Sequence, residues 1–283
     1  MVGREVCELA AAQGHDVHAP ARAELNIADA VSVEQVLANL TPQVVINCAA
    51  YTAVDLCETE RDAAYAVNAV GPRNLAKSCR AIGARMVHIS TDYVFDGNKP
   101  TPYHETDIPN PQSVYGASKL EGERAALQEL GRDLTIARTS WVSGQYGANM
   151  VKTVMRVAAS SDDVLRFVSD QRGCPTFADE LASMLLTLAT RDDVDGIVHV
   201  TNQGAVSWYE FVADIIECLG GLRTRVEPIV TSDLQPPRPA HRPLNSVLES
   251  RVLSEAGIER LGHYRPALER CIAAIQSATA VQP

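Results

Sequence analysis

The chain has no Cys-x-x-Cys spacing, no excess of basic residues and no apolar run long enough to cross a bilayer. Each absence removes a class of function. Its 7 cysteines are scattered, which argues against a metal ribbon or a dithiol redox motif and suits buried thiols in a reducing cytoplasm. Cys48, Cys79 and Cys174 stand near motif residues and read as packing. A formal net charge of -10 disfavours a surface for nucleic acid or anionic membrane. The opening residues lack a basic-then-apolar signal pattern. Nothing repeats at a fixed period, and the Pro-rich stretch near Pro236 is the one biased tract.

What is present is a large apolar fraction. With 283 residues and 46% hydrophobic side chains, the chain can bury a core as one α/β body or two closely packed lobes. Helical patterns over 74–82, 113–130 and 179–190 alternate with apolar strands over 86–90, 134–138 and 197–201, and 44–52 reads as an apolar strand running into small residues. This alternation predicts a doubly wound parallel sheet with helices on both faces.

The sequence is organised around 87–123. It reads V-H-I-S-T-D-Y-V-F-D-G, crosses a Pro-containing loop, and resumes as V-Y-G-A-S-K-L-E-G-E. A buried strand would deliver Ser90, Thr91 and Asp92 to its C-terminal end, where ligands sit in open α/β sheets. Tyr115 and Lys119 stand four apart at the start of a helical segment, so they share a face. A neighbouring ammonium is expected to lower the phenol's pKa, so that Tyr115 can trade a proton with a substrate oxygen. Thr91 can hydrogen-bond the same oxygen as charge develops. A hydride source is missing from such a set, and a nicotinamide provides one. The alternative for the pair alone is an ordinary exposed Tyr and Lys on a surface helix.

These strings resemble the extended branch of the short-chain dehydrogenase/reductase superfamily, and within it the dTDP-4-dehydrorhamnose reductase family. The resemblance runs from Gly3 to about Arg270 and implies a Rossmann fold with a smaller C-terminal substrate lobe. It implies reduction of the C4 ketone of dTDP-4-dehydro-L-rhamnose, with Thr91, Tyr115 and Lys119 catalytic. Two other readings stay open. One is a reductase of another dTDP-4-keto-6-deoxysugar, and the other a non-catalytic protein like the regulatory subunit of methionine adenosyltransferase.

Residue by residue, the resemblance assigns further contacts. Gly3 stands where the family has the last glycine of a G-x-x-G-x-L/V-G turn, so the first strand and the earlier glycines are absent from this sequence. The expectation is that a version extended by about ten residues carrying them would bind cofactor better. Residues 16–22 read as the second strand and its exit, with Arg22 favouring NADPH, although NADH is also compatible. Asn26 and Ile27 match the family's L-D-I-T-D, with Asn replacing Asp. Ala50, Tyr51 and Thr52 lie in a match to N-x-A-A-Y/H-T-A-V-D, where Thr52 or Asp55 could also cap a helix. Val2, Gly3, Arg22, Asn26, Ile27, Ala50, Tyr51, Thr52, Ile89, Tyr115 and Lys119 are the implied cofactor contacts.

Asn68 matches a helical Asn thought to support proton relay, or makes a structural hydrogen bond. Trp141, in R-T-S-W-V, is expected to pack on the sugar. Thr91, Asp92 and Arg242 complete the implied substrate contacts, with Arg242 gripping the pyrophosphate from a stiff loop. The motif around Ser169 to Thr176 matches D-Q-x-G-x-P-T. Ser207 reads as a helix cap, with Trp208 and Phe211 packing. No acidic residue near Ile275 matches the metal ligand of some relatives, so no metal is expected. The expected division is a dinucleotide-binding part over 1–140 with 179–202 returning to it, and a substrate lobe over 141–178 and 203–283. A monomer and a homodimer are both compatible with the acidic, ordinary surface.

Overall fold

The structure is a computed structural model that describes residues 1–280; residues 281–283, the tail of the expected substrate lobe, lie outside the described residues. The expected parallel sheet is present. Its four strands are β1 (Val44–Asn47), β2 (Arg85–Thr91), β3 (Leu134–Thr139) and β4 (Gly196–His199), in that spatial order. All three ladders are parallel, with Ile46 opposite Val87 and Thr91 opposite Thr139.

The longer helices are α1 (Val2–Ala12), α2 (Ala30–Leu40), α3 (Gly71–Ile82), α4 (Val114–Leu130), α5 (Met150–Ser160), α6 (Ala178–Ala189), α7 (Trp208–Cys218) and α8 (Tyr264–Ala280). Adjacent strand residues point to opposite faces, so Met86 and Ile136 join the core formed by α2, α3 and α4. Val87 and Ala137 join the core formed by α1 and α6. Both faces of the sheet are covered, which is why β3 is buried along its whole length. Fully buried Leu134, Ile136, Leu181 and Leu185 each contribute about 1.5–3 kcal/mol by leaving water.

Local sequence fixes several helix starts. Asp29 accepts from the amides of Val31 and Ser32 to cap α2, and Ser113 accepts from Gly116 to cap α4. Ser207 and Glu210 form a reciprocal capping box at α7, as expected of Ser207. Asp55 caps nothing: the short helix Val54–Cys57 begins after Ala53 without a side-chain bond.

The second strand read over 16–22 is not formed. That stretch is irregular and mostly exposed. A strand needs a ladder to satisfy its amides, and none of the described residues pairs with this one. The side of β1 away from β2 likewise has no ladder partner among the described residues.

A separate apolar cluster joins α5, α7 and α8 through Val151, Phe177, Phe211, Leu268 and Ile272. Beside it, Leu165–Val168 pairs with Val226–Ile229, and Arg172–Gly173 pairs with Val206–Ser207. The segment after the Pro-rich tract bridges back, with Asn245 against Arg172 and Leu248 against Tyr103. It thereby closes over the loop that follows β2.

Candidate active site

β2 delivers Thr91 and Asp92, both buried, to its C-terminal end. α4, started by the Ser113 cap, brings Tyr115 and Lys119 to the same place. The Lys119 Nζ donates to the Ile89 carbonyl at 2.6 Å and lies 3.4 Å from the His88 Nε2. The Thr91 hydroxyl donates to the Asp92 Oδ1 at 3.0 Å and accepts from the Tyr93 amide at 3.2 Å. The Tyr93 ring meets the Tyr115 ring edge-on, with centroids 5.5 Å apart. Thr91, Tyr115 and Lys119 therefore converge.

Their electrostatics differ from the expectation. Burial pushes the Tyr115 phenol above its ordinary value, the Thr91 side chain draws it back, and Asp92 and Cys57 push it further up. Lys119 does not lower it. The amine is itself buried, which draws it down to about 8 against the opposing pull of Glu123 and Cys48. Desolvation is the largest influence on both groups. Asp92, also in the dry interior, is raised to about 6, although the nearby Ser246 and Thr91 side chains oppose the rise.

A polar frame holds α4 in place. Asn68 accepts from the Tyr51 amide at 2.8 Å and donates to the Tyr51 carbonyl at 3.0 Å and the Ser118 hydroxyl at 3.1 Å. It sits in a single turn of π-helix, Ala66–Val70, a form that recurs at functional sites. Gly122 lets the two segments touch, because a Cβ there would lie 2.0 Å from the Asn68 carbonyl oxygen. So the structural hydrogen bond read for Asn68 is present, and it ties the loop after β1 to the catalytic helix.

Of the residues read as cofactor contacts, Ala50, Tyr51 and Thr52 follow the end of β1, and Ile89 holds Lys119 through its carbonyl. Val2 and Gly3 open α1, and Gly3 packs against Cys48 with room for a Cβ only at 3.3 Å. Arg22 is exposed and close enough to Tyr51 to act on its phenol, whose hydroxyl donates to Glu60. The Asn26 side chain is engaged locally, accepting from the Ala28 amide at 3.2 Å. Ile27 is buried, and its carbonyl accepts from Asn74 at 3.0 Å.

On the substrate side, Trp141 has a left-handed backbone with φ 48 and stacks on Trp208 at 3.7 Å between centroids. Trp208, read as packing, is thus the plate behind the expected sugar-contacting ring. Arg242 is not free in its loop: it holds Asp55 with two bonds of 2.5 and 2.8 Å. The thiols behave as filler. Burial raises Cys48 and Cys79 to about 12 each, and raises Cys174 as well.

Sequence reading missed Asn47 and His88. They are opposite one another in the β1–β2 register, and Asn47 Nδ2 lies 3.0 Å from His88 Nδ1. The one available signal was alternation, which puts His88 on the same face as Ser90. Their pairing depends on a register that no local pattern states.

The profile of the RmlD substrate binding domain matches residues 1–277. The chain is 42% identical to a dTDP-4-dehydrorhamnose reductase of Streptomyces griseus over 279 residues, covering 97% of this chain and 91% of that one. A crystal structure of a dTDP-4-dehydrorhamnose reductase from Clostridium acetobutylicum superposes with a TM-score of 0.92 at 38% identity, covering 97% of this chain and 96% of the other. A Bacillus anthracis dTDP-4-dehydrorhamnose reductase solved in complex with NADP gives 0.91 at 35% identity, over 96% and 95%. The chain belongs to the RmlD family, whose solved members share its Rossmann-like sheet.

Proposed function

We propose that this chain is a dTDP-4-dehydrorhamnose reductase, which uses NADPH to reduce the C4 ketone of dTDP-4-dehydro-L-rhamnose to dTDP-L-rhamnose. The carrying observation is a buried Tyr115, with Thr91 and Lys119 beside it, at the C-terminal end of a parallel strand in a chain of this family.

The residues present fit a nicotinamide dinucleotide. α1 begins without a side-chain cap, leaving its first amides open to an anionic group. The close packing of Gly3 on Cys48 brings that helix end against the tip of β1. Val2, Gly3, Ala50, Tyr51, Thr52 and Ile89 would line the cofactor, with Asn26 and Ile27 toward its adenine. Arg22 has the charge for a 2'-phosphate, which favours NADPH over NADH. When bound, the cofactor supplies the hydride that the C4 carbon takes up.

The chain's own groups supply the proton. In the reducing direction the substrate oxygen needs a protonated donor, and burial keeps the Tyr115 proton on the phenol at neutral pH. Thr91 hydrogen-bonds the same oxygen as its charge builds. Lys119, with a value near neutrality, can restore the proton to Tyr115. Trp141 packs on the sugar, while Asp92 and Arg242 reach its polar groups.

In this reading residues 1–140 with 179–202 bind the dinucleotide, and 141–178 with the residues from 203 onward bind the sugar. The separate apolar cluster around Phe211 supports that division. Protonated, unpaired thiols suit the cytoplasm, and no helix among the described residues is long and apolar enough to cross a membrane.

NADPH oxidation with a panel of dTDP-4-keto-6-deoxysugars tests the assignment. Turnover should be fastest with dTDP-4-dehydro-L-rhamnose. A faster rate with another sugar of the panel would reassign the substrate, and no oxidation with any of them would reject the reading.

A further inference from the structure

The unused polar groups nearest the site are Asn47 and His88, and their geometry fixes a proton position. The Ala49 amide can only donate, and it points at Asn47 Oδ1 at 3.0 Å. The Asn47 amide is therefore oriented with its Nδ2 toward His88 Nδ1, 3.0 Å away. A donor facing Nδ1 leaves that nitrogen bare, so the neutral ring carries its proton on Nε2. Nε2 lies 3.4 Å from the Lys119 Nζ. An imidazole N–H thus faces the amine. An ammonium would oppose hydrogen to hydrogen there, whereas a neutral amine turns its lone pair to the ring and still donates to Ile89.

We propose that Asn47 and His88 are positioning residues that present an N–H to Lys119 and so make its ammonium readier to give up a proton. The three side chains are nearly closed to water, at 4%, 0% and 2% exposure, so no solvent competes for these contacts. Burial also holds His88 well below its ordinary value, with Lys119 adding to the effect, which keeps the ring neutral. The other titratable groups acting on Lys119 are Glu123 on its own helix and Cys48 after β1, and both favour the ammonium. Glu123 is already held by Arg138 and Ser90. The Asn47–His88 pair therefore works against them, from the strand whose tip leads to the expected cofactor contacts.

The inference rests on the role given to Lys119 above, yet its test reads protonation directly. Nitrogen NMR of histidine-labelled full-length protein should show the His88 proton on Nε2. Carbon NMR of the lysine side chains, which are only Lys77, Lys99, Lys119 and Lys152, should show Lys119 titrating well below the others. Asn47→Ala frees Nδ1, lets the ring offer Nε2 as an acceptor, and should raise the Lys119 midpoint by about one pH unit. A proton on Nδ1 in the unaltered protein would overturn the proposal without any variant, and so would an unmoved midpoint in a folded Asn47→Ala protein. Full turnover by Lys119→Met would instead overturn the reductase role of Lys119 and leave the tautomer result standing.

Discussion

Glu123 and Arg138 form a two-pronged ion pair sealed beneath the active-site helix, with bonds of 2.9 and 2.6 Å and side chains each 1% exposed. The Ser90 hydroxyl adds a third contact to the carboxylate at 2.5 Å. The pair fastens α4 to β3 and to the strand that ends in Thr91. Breaking a buried pair from one side strands a charge, which costs about 3–5 kcal/mol. Arg138→Met and Glu123→Gln should each lower unfolding free energy in urea on that scale, with the double variant losing less than the sum. Additive losses would show that the two charges do not depend on each other.

Tyr115→Phe removes one hydroxyl from a buried ring and leaves the packing against Tyr93 intact. Turnover should fall by about 100-fold to 10,000-fold while the melting temperature barely moves. Full turnover would exclude Tyr115 as the proton donor.

Asp92 gives a pH signature of definite sign. Its folded value is raised from 3.8 to about 6, so the stability it contributes is complete below 3.8 and is lost as pH rises through 6. At neutral pH the buried charge costs about 3 kcal/mol. Asp92→Asn keeps an oxygen for the Thr91 hydroxyl and removes the charge. The variant should gain stability over the unaltered protein between pH 4 and 6 and keep the gain at pH 7. Parallel urea-stability curves across that range would contradict the assignment.

Arg242 is positioned by Asp55, whose carboxyl is held below the usual range chiefly by its hydrogen bond with that guanidinium. If the guanidinium also meets the nucleotide, Arg242→Gln should raise KM for the dTDP sugar about tenfold with kcat largely kept. An unchanged KM would limit Arg242 to fastening its loop.

The parts of the site that sequence revealed are those made by short-range geometry. Tyr115 and Lys119 share a face of α4 because they are about one helical turn apart, and Thr91 is placed by the end of an apolar strand. Ser207 announced its helix as a cap residue at the head of an amphipathic run. What could not be read depends on distant neighbours. Residues 16–22 read as a strand but have no ladder to join among the described residues. Asp55 was open to a capping role, yet it faces Arg242 from far along the chain. The direction of the Tyr115 shift was missed for a different reason: adjacency suggested an ammonium's influence, whereas burial, a property of the whole fold, is the largest cause.

The stack of Trp141 on Trp208 has a practical consequence, since these are the 2 tryptophans of the chain. Ultraviolet emission excited at the red edge of indole absorption arises from this one spot, where the rings lie close enough to exchange excitation. A sugar settling on Trp141 would alter the whole signal, so the protein carries its own optical reporter with no dye attached.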